Sequence, residues 1–244
     1  MKQNKYDDPE FFKQYSQMNR SVEGLSAAGE WSAFRKMFPN LKDKLVLDLG
    51  CGFGWHCRYA RQQQARSVVG VDISEKMLAR ARELTDDSAI EYYRLAMEEV
   101  DFPADEFDVV VSSLALHYVE DFQSICQKVY RYLMPGGSFV LSVEHPIFTA
   151  RAAQDWYYSA EGERLYWPVD DYQKEGLRQT QFLGMDVEKY HRSIATYFNT
   201  VIRAGFRVTE VSEPEPTPEA MAKYPEMQDE YRRPMFLMMV AVKD

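Results

Sequence analysis

The chain has 244 residues, 45% of them hydrophobic and 14% aromatic, enough to bury one sizeable core in a single domain with embellishments. Its 29 basic and 38 acidic residues give a net charge of −9, which disfavours a bare nucleic-acid backbone as partner because phosphate binding needs clustered positive charge. Three scattered cysteines make neither a disulfide framework nor a zinc site, and no apolar stretch has signal-peptide or membrane-span length, so the expectation is a reduced, cytoplasmic protein without a membrane segment or metal.

Residues 1–40 carry Tyr6, Phe11, Phe12, Tyr15, Trp31, Phe34 and Phe38 among polar residues without strand alternation, which predicts one or two helices packed over a neighbouring surface. From 41 to 145 strands and helices alternate, the pattern of a parallel sheet covered on both faces. Strands are predicted at 45–49, 67–72, 90–94, 107–113 and 138–144. Ser74 is the expected N-cap of a helix burying Met77, Leu78, Ala81 and Leu84. A further helix starts at Asp121, with Phe122, Ile125, Cys126, Val129, Tyr130 and Leu133 at helical spacing, and Pro135-Gly136-Gly137 is expected to stop it.

Residues 146–188 break this alternation with proline, glycine and many aromatics, among them Phe148, Trp156, Tyr157, Tyr166, Trp167 and Tyr172. A long irregular connection that follows a strand hangs over the carboxyl edge of the sheet, where open α/β folds bind ligands, and is read here as a substrate cap. A last helix with Tyr190, Ile194, Tyr197, Phe198, Val201 and Ile202 on one face, stopped by Gly205, leads to strands at 206–212 and 235–243.

The chemistry concentrates in Asp48-Leu49-Gly50-Cys51-Gly52-Phe53-Gly54, where the first strand runs into a turn almost without side chains, so that a ligand can approach the backbone. The next strand ends in Asp72, at the distance where a ribose-binding acid is expected. A dinucleotide fingerprint spaces its glycines G-x-G-x-x-G, whereas this loop reads G-x-G-x-G with an acid two residues ahead. That acid repels a diphosphate and suits a ligand carrying an ammonium and a sulfonium, which is S-adenosylmethionine, with S-adenosylhomocysteine as its product. Asp48 is expected to orient the loop and balance the ammonium, and Asp72 to accept the ribose hydroxyls. Ile73 and Met77 either sandwich the adenine or are simple core.

Taken in order, Asp48 to Gly54, Val69 to Ser74, Phe107-Asp108-Val109-Val110, Leu133-Met134-Pro135-Gly136-Gly137 and Pro234-Met235-Phe236-Leu237 resemble the class I S-adenosylmethionine-dependent methyltransferases of the bacterial small-molecule type, methyltransferase type 11-like, over nearly the whole chain. The resemblance implies a Rossmann-like, seven-stranded, mostly parallel sheet with an antiparallel last strand, within one methyltransferase domain over 1–244. Its parts would be an N-terminal helical lid (1–40), a cofactor-binding core (41–145), an inserted aromatic cap (146–188) and a C-terminal helix with closing strands (189–244). It also implies that Tyr15, Asn19 and Arg20 of the lid touch cofactor or substrate, and that Ser113 and Leu114 line the channel between sulfonium and acceptor. Where family members often place an aspartate for the adenine amino group this chain has Ala96, which passes that contact to the backbone of Met97 or to Glu98.

Methyl transfer to O, N or C of a small molecule asks mainly for alignment and a dry pocket. His145, beside Glu144 at a strand end, is the first candidate for general base or substrate orienter, followed by His117 and His191; the structural alternative for each is a hydrogen-bonded core histidine. Glu144, Trp156, Tyr157 and Trp167 are the expected substrate contacts, with packing as the alternative for the aromatics. Two other functions stand beside this one: a non-catalytic binder of the same cofactor, and a nucleotide-dependent oxidoreductase, which the glycine spacing opposes.

Overall fold

Strands that must bury both faces read as apolar runs rich in valine and leucine, and four such runs lie side by side at the centre of the protein, with the polar strand Ile90–Arg94 at their edge. The computed structural model describes residues 3–244. β1 (Leu45–Leu49), β2 (Ser67–Asp72), β3 (Ile90–Arg94), β4 (Phe107–Ser113) and β5 (Leu133–Glu144) are parallel. Two small hairpins follow, β6 (Tyr157–Tyr158) with β7 (Arg164–Tyr166) and β8 (Gly176–Phe182) with β9 (Met185–His191). β10 (Arg207–Ser212) and β11 (Phe236–Val242) complete a seven-stranded sheet of order β10-β11-β5-β4-β1-β2-β3, in which β11 runs opposite to the other six strands.

The helices are α1 (Pro9–Ser16), α2 (Asn19–Val22), α3 (Trp31–Phe34), α4 (Trp55–Gln62), α5 (Glu75–Glu83), α6 (Phe122–Tyr132), α7 (Pro146–Thr149), α8 (Ile194–Arg203) and α9 (Pro218–Lys223). Strand alternation splits the core between the two faces of the sheet. Leu47, Leu49 and Val110 pack with Ile125 of α6 and Tyr197 of α8, whereas Val46, Val109 and Val111 pack with Phe34 of α3, Cys57 of α4 and Leu78 of α5. Ser74 caps α5, its hydroxyl accepting from Met77 N at 3.1 Å.

Three expectations need correction. α6 ends at Tyr132 and the chain turns straight into β5, so Pro135-Gly136-Gly137 lies within the strand instead of stopping the helix. There a Cβ on Gly137 would meet the Met134 carbonyl oxygen at 2.7 Å, a close backbone approach that only glycine allows. Tyr190 belongs to β9, because α8 starts at Ile194 with the Ser193 hydroxyl accepting from Thr196 N at 3.1 Å. The cap is more regular than its composition suggests: α7 and both small hairpins lie in it, and β9 crosses the expected 188/189 boundary. The β8–β9 turn is Leu183-Gly184, both with positive φ, and a leucine in that position hides the hairpin from turn chemistry.

Residues 3–20 fold over the carboxyl edge of the sheet, while α3 packs on one of its faces; residues 1 and 2 of the expected 1–40 lid lie outside the described residues. Asp8 caps α1 by accepting from Glu10 N at 2.9 Å and Phe11 N at 3.0 Å, with Pro9 in the first turn. Asp7 reaches the start of α5, accepting from Ser74 Oγ at 2.6 Å and Lys76 N at 3.0 Å, and these bonds hold its carboxyl below the usual range against the pull of burial. Phe11 is fully buried and meets Phe182 edge-on at 5.8 Å, and Gln3 exchanges hydrogen bonds with the Glu188 backbone. N-terminal segment and β8–β9 hairpin thereby close over the same edge.

Candidate active site

At the end of β1 the chain needs left-handed backbone three times, at Gly50, Gly52 and Gly54 (φ 78°, 54° and 71°). A Cβ on Gly50 would sit 2.5 Å from the Ala115 Cβ, and one on Gly54 2.2 Å from the Tyr92 hydroxyl. Gly54 is thus required by packing against β3 and does not line the cavity, unlike Gly50 and Gly52. Gly52 N donates to Asp72 Oδ2 and Ser74 N to Asp72 Oδ1, both at 2.9 Å. Burial raises the Asp72 carboxyl above its ordinary value while these backbone donors oppose the rise. Asp48 is 1% exposed; Cys57 Sγ lies 3.3 Å from its Oδ2, and its Oδ1 has no partner among the described residues. Burial, with a smaller push from Asp72, lifts Asp48 to about 7.

A cavity of about 400 Å³ runs from this turn along the sheet edge. Asp72, Ile73, Met77, Ala96 and Met97 line one wall and Ser113 and Leu114 another, while Tyr6, Tyr15 and Arg20 roof it. The Glu98 side chain is absent from this lining, and the Glu98 carbonyl instead accepts from Lys128 Nζ at 2.5 Å. A side chamber of about 60 Å³ opens at Gly50, Gly52, Tyr15 and Arg20 and is lined by Cys51 and Trp55. There the Trp55 Nε1 is buried without a partner among the described residues, and Arg20 pairs with Glu30 at 2.8 Å. A second cavity, about 520 Å³, shares Met18, Arg20, Met235 and Phe236 with the first and reaches outward past Asn19, Pro214 and Met227.

The far end of the main cavity is made of side chains. Lys189 donates to Glu144 Oε1 at 2.6 Å and to Gln154 Oε1 at 3.1 Å, beside His117, Tyr118 and Phe182. Burial is the largest influence on the Glu144 carboxyl and pushes it up, but His117, when protonated, and the Lys189 ammonium outweigh it and hold the carboxyl below its usual range. His117 is the histidine brought to the cavity; burial lowers it to about 4, and its Nδ1 accepts from Glu144 N at 3.4 Å.

His145 and His191 are not brought there. Pro146 starts α7 directly after His145, so His145 becomes the cap of that helix: its Nδ1 accepts from Ile147 N at 3.1 Å and its Nε2 meets Glu213 Oε1 at 2.7 Å. His191 bonds the Thr149 hydroxyl at 2.8 Å and the Tyr172 carbonyl at 3.0 Å. With both ring nitrogens engaged and no exposure, neither is placed to act as a base in the cavity. Trp156, Tyr157 and Trp167 also sit outside it. Trp167 stacks on Phe148 at 5.1 Å, with Arg233 4.3 Å from its ring and Arg232 4.4 Å from Trp156, while Tyr157 is 53% exposed against Tyr166. Phe148 lines the cavity in their place.

Sequence reasoning missed Tyr6, Gln154, Phe182 and Lys189 as lining residues. For Lys189 a signal existed: it shares the inward phase of β9 with Val187 and His191, and a lysine in that phase is out of place unless paired.

A doubly covered sheet with one reversed strand, a glycine turn after β1 and an acid ending β2 define a nucleoside-binding α/β protein. A family model described as a methyltransferase domain matches residues 47–141. A Listeria monocytogenes protein described as an S-adenosylmethionine dependent methyltransferase is 52% identical, covering 91% of this chain and 99% of its own with a TM-score of 0.86. An S-adenosylmethionine dependent methyltransferase from Mesorhizobium loti is 46% identical, covering 90% of this chain and 100% of its own with a TM-score of 0.85. The malonyl-[acyl-carrier protein] O-methyltransferase of Enterobacter lignolyticus is 38% identical over 127 residues, 52% of this chain and 46% of that protein. The chain belongs to the S-adenosylmethionine-dependent methyltransferases. It is an enzyme with S-adenosylmethionine as cofactor, and no helix among the described residues is long and apolar enough to cross a membrane.

Proposed function

We propose that the chain transfers the cofactor's methyl group to a small-molecule acceptor held at the Glu144–Lys189 end of the cavity. The observation that carries this reading is the continuity of one roofed chamber from the glycine turn and Asp72 to Glu144 and Lys189, with a volume suited to small ligands. The residues present fit the cofactor. Asp48 lines neither chamber, so its unpartnered oxygen would act on an ammonium through a bridging water behind the glycine turn, while Arg20 and the Trp55 N–H suit a carboxylate, Asp72 keeps lone pairs for a ribose diol, and Ile73, Met77 and Met97 offer apolar walls to an adenine. When bound, the cofactor supplies a methyl group activated by a sulfonium.

The residues would contribute alignment and dryness more than proton transfer. Ser113 and Leu114 form the back of the chamber, and Tyr6 and Tyr15 exclude water from above. On this reading 1–40 is a lid, 41–145 the cofactor core, and the 146–188 cap and 189–244 segment shape the acceptor end. Calorimetric titration of the protein with S-adenosylmethionine and S-adenosylhomocysteine, followed by a labelled methyl-transfer assay over an acceptor panel, tests it. Tight cofactor binding with a methylated product supports the reading; binding without any product across the panel favours the non-catalytic binder.

A further inference from the structure

The chamber contains a buried lysine to which methyl transfer assigns no task. Lys189 is 2% exposed, and an ammonium removed from water is costly unless its hydrogens are used. Of its three hydrogens, Glu144 and Gln154 take two, which leaves one without a partner among the described residues. Each acceptor beside it already holds at least one donor, although Glu144 keeps spare lone pairs as Asp72 does. Glu144 Oε2 receives the Gln154 amide at 3.3 Å, and Gln154 Oε1 receives both Lys189 and the Thr180 hydroxyl, the latter at 3.1 Å. Because His117 Nδ1 accepts from the backbone, the neutral ring carries its hydrogen on Nε2. The third Lys189 hydrogen and the His117 Nε2–H therefore give this end two available donors, one of them on a cation whose charge Glu144 already balances. A cationic acceptor molecule would compete with Lys189 for Glu144, whereas an anionic oxygen finds an open hydrogen.

We propose that Lys189 anchors a carboxylate of the methyl acceptor, so that the acceptors are carboxylate-bearing small molecules. This rests on the methyl-transfer reading, which places acceptor and cofactor in one chamber. Phe182, whose ring lies 5.5 Å from the ammonium, and Phe148 give the carbon skeleton apolar walls.

The test titrates the whole protein, saturated with S-adenosylhomocysteine, with benzoate, phenylacetate and hexanoate, and with benzamide, benzylamine and hexanol as matched controls. At least one carboxylate should bind, with its controls weaker by about tenfold or more, the scale of a hydrogen bond to a charged group. Replacing the pair together (Glu144→Leu with Lys189→Met) strands no buried charge and should weaken carboxylate binding by about tenfold while S-adenosylhomocysteine binding stays within about twofold. Glu144→Gln removes the competing anion and should tighten carboxylate binding. The proposal is overturned if an amide or amine binds as tightly as its carboxylate, if no carboxylate binds up to millimolar concentration, or if the double variant retains carboxylate affinity. Failure of the wild-type protein to bind S-adenosylhomocysteine would strike the methyl-transfer reading instead, and the same carboxylate titration of the unloaded protein would still decide the lysine subsite.

Discussion

The two ends of the chamber are built by different means. Around Asp72 the groups are largely backbone, Gly52 N and Ser74 N among them, supplied by two short stretches at adjacent strand ends. At Lys189 they are side chains from segments far apart in sequence: Glu144 ends β5, Gln154 lies in the cap and Thr180 belongs to β8. A backbone cradle tolerates little change, because its geometry is the fold itself. A side-chain cluster can be rewritten residue by residue, so one scaffold can keep its cofactor while changing its acceptor.

Substitutions ordered by their effect on cofactor affinity put that contrast to the test. Asp72→Ala should cost the most, about a hundredfold in the dissociation constant measured by calorimetry, since two hydrogen bonds to an ionised group are lost. A loss under about threefold would mean that the cradle does not rely on this carboxylate.

Asp48 comes next. Burial holds it at about 7, above the ordinary carboxyl value of roughly 3.9, so the empty protein is partly protonated at neutrality. The sign follows: a raised pKa contributes stability below the unfolded value and loses it as the pH rises through about 7. A cofactor ammonium favours the charged carboxylate, so binding should release a proton near neutrality and strengthen with pH across that window. Calorimetry in buffers of different ionisation enthalpy would show the release, and Asp48→Asn should abolish it while costing about tenfold in affinity.

Asp7→Ala removes the clasp on α5 and should weaken cofactor binding about fivefold, the scale of a lost helix cap, with faster proteolysis between residues 3 and 18. The smallest effect belongs to the cap: Trp167→Ala breaks the stack on Phe148 and should lower stability by roughly 2 kcal/mol in thermal unfolding, yet leave cofactor affinity within about twofold. A large loss of cofactor affinity in that variant would erase the division between the two ends.

The same division governs what could be read from the chain. Parallel strands, the Ser74 cap, the glycine turn and Asp72 carry their signals within a few residues, and the sheet and its cofactor edge follow from them. His145 misleads because its role is set by Pro146 on one side and by Glu213, distant in sequence, on the other. The tryptophans mislead because Arg232 and Arg233, which hold them, lie more than sixty residues away in the chain. Lys189 is marked only by the inward phase it shares with Val187 and His191, a faint signal because the β8–β9 hairpin turns on Leu183-Gly184 and its strands carry few apolar residues.

Asp7 grips Ser74, only two residues beyond Asp72, so the N-terminal segment and the acid that ends β2 are joined through one bend of the chain. A nucleoside beside Asp72 would lie beneath Tyr6 and Tyr15, on the side of the chamber that Asp7 ties down, whereas Met235 and Phe236 line both this chamber and the second cavity. Ordered addition, nucleoside before small reactant, is the expected outcome of product-inhibition kinetics, and random addition would show that this clasp retains nothing.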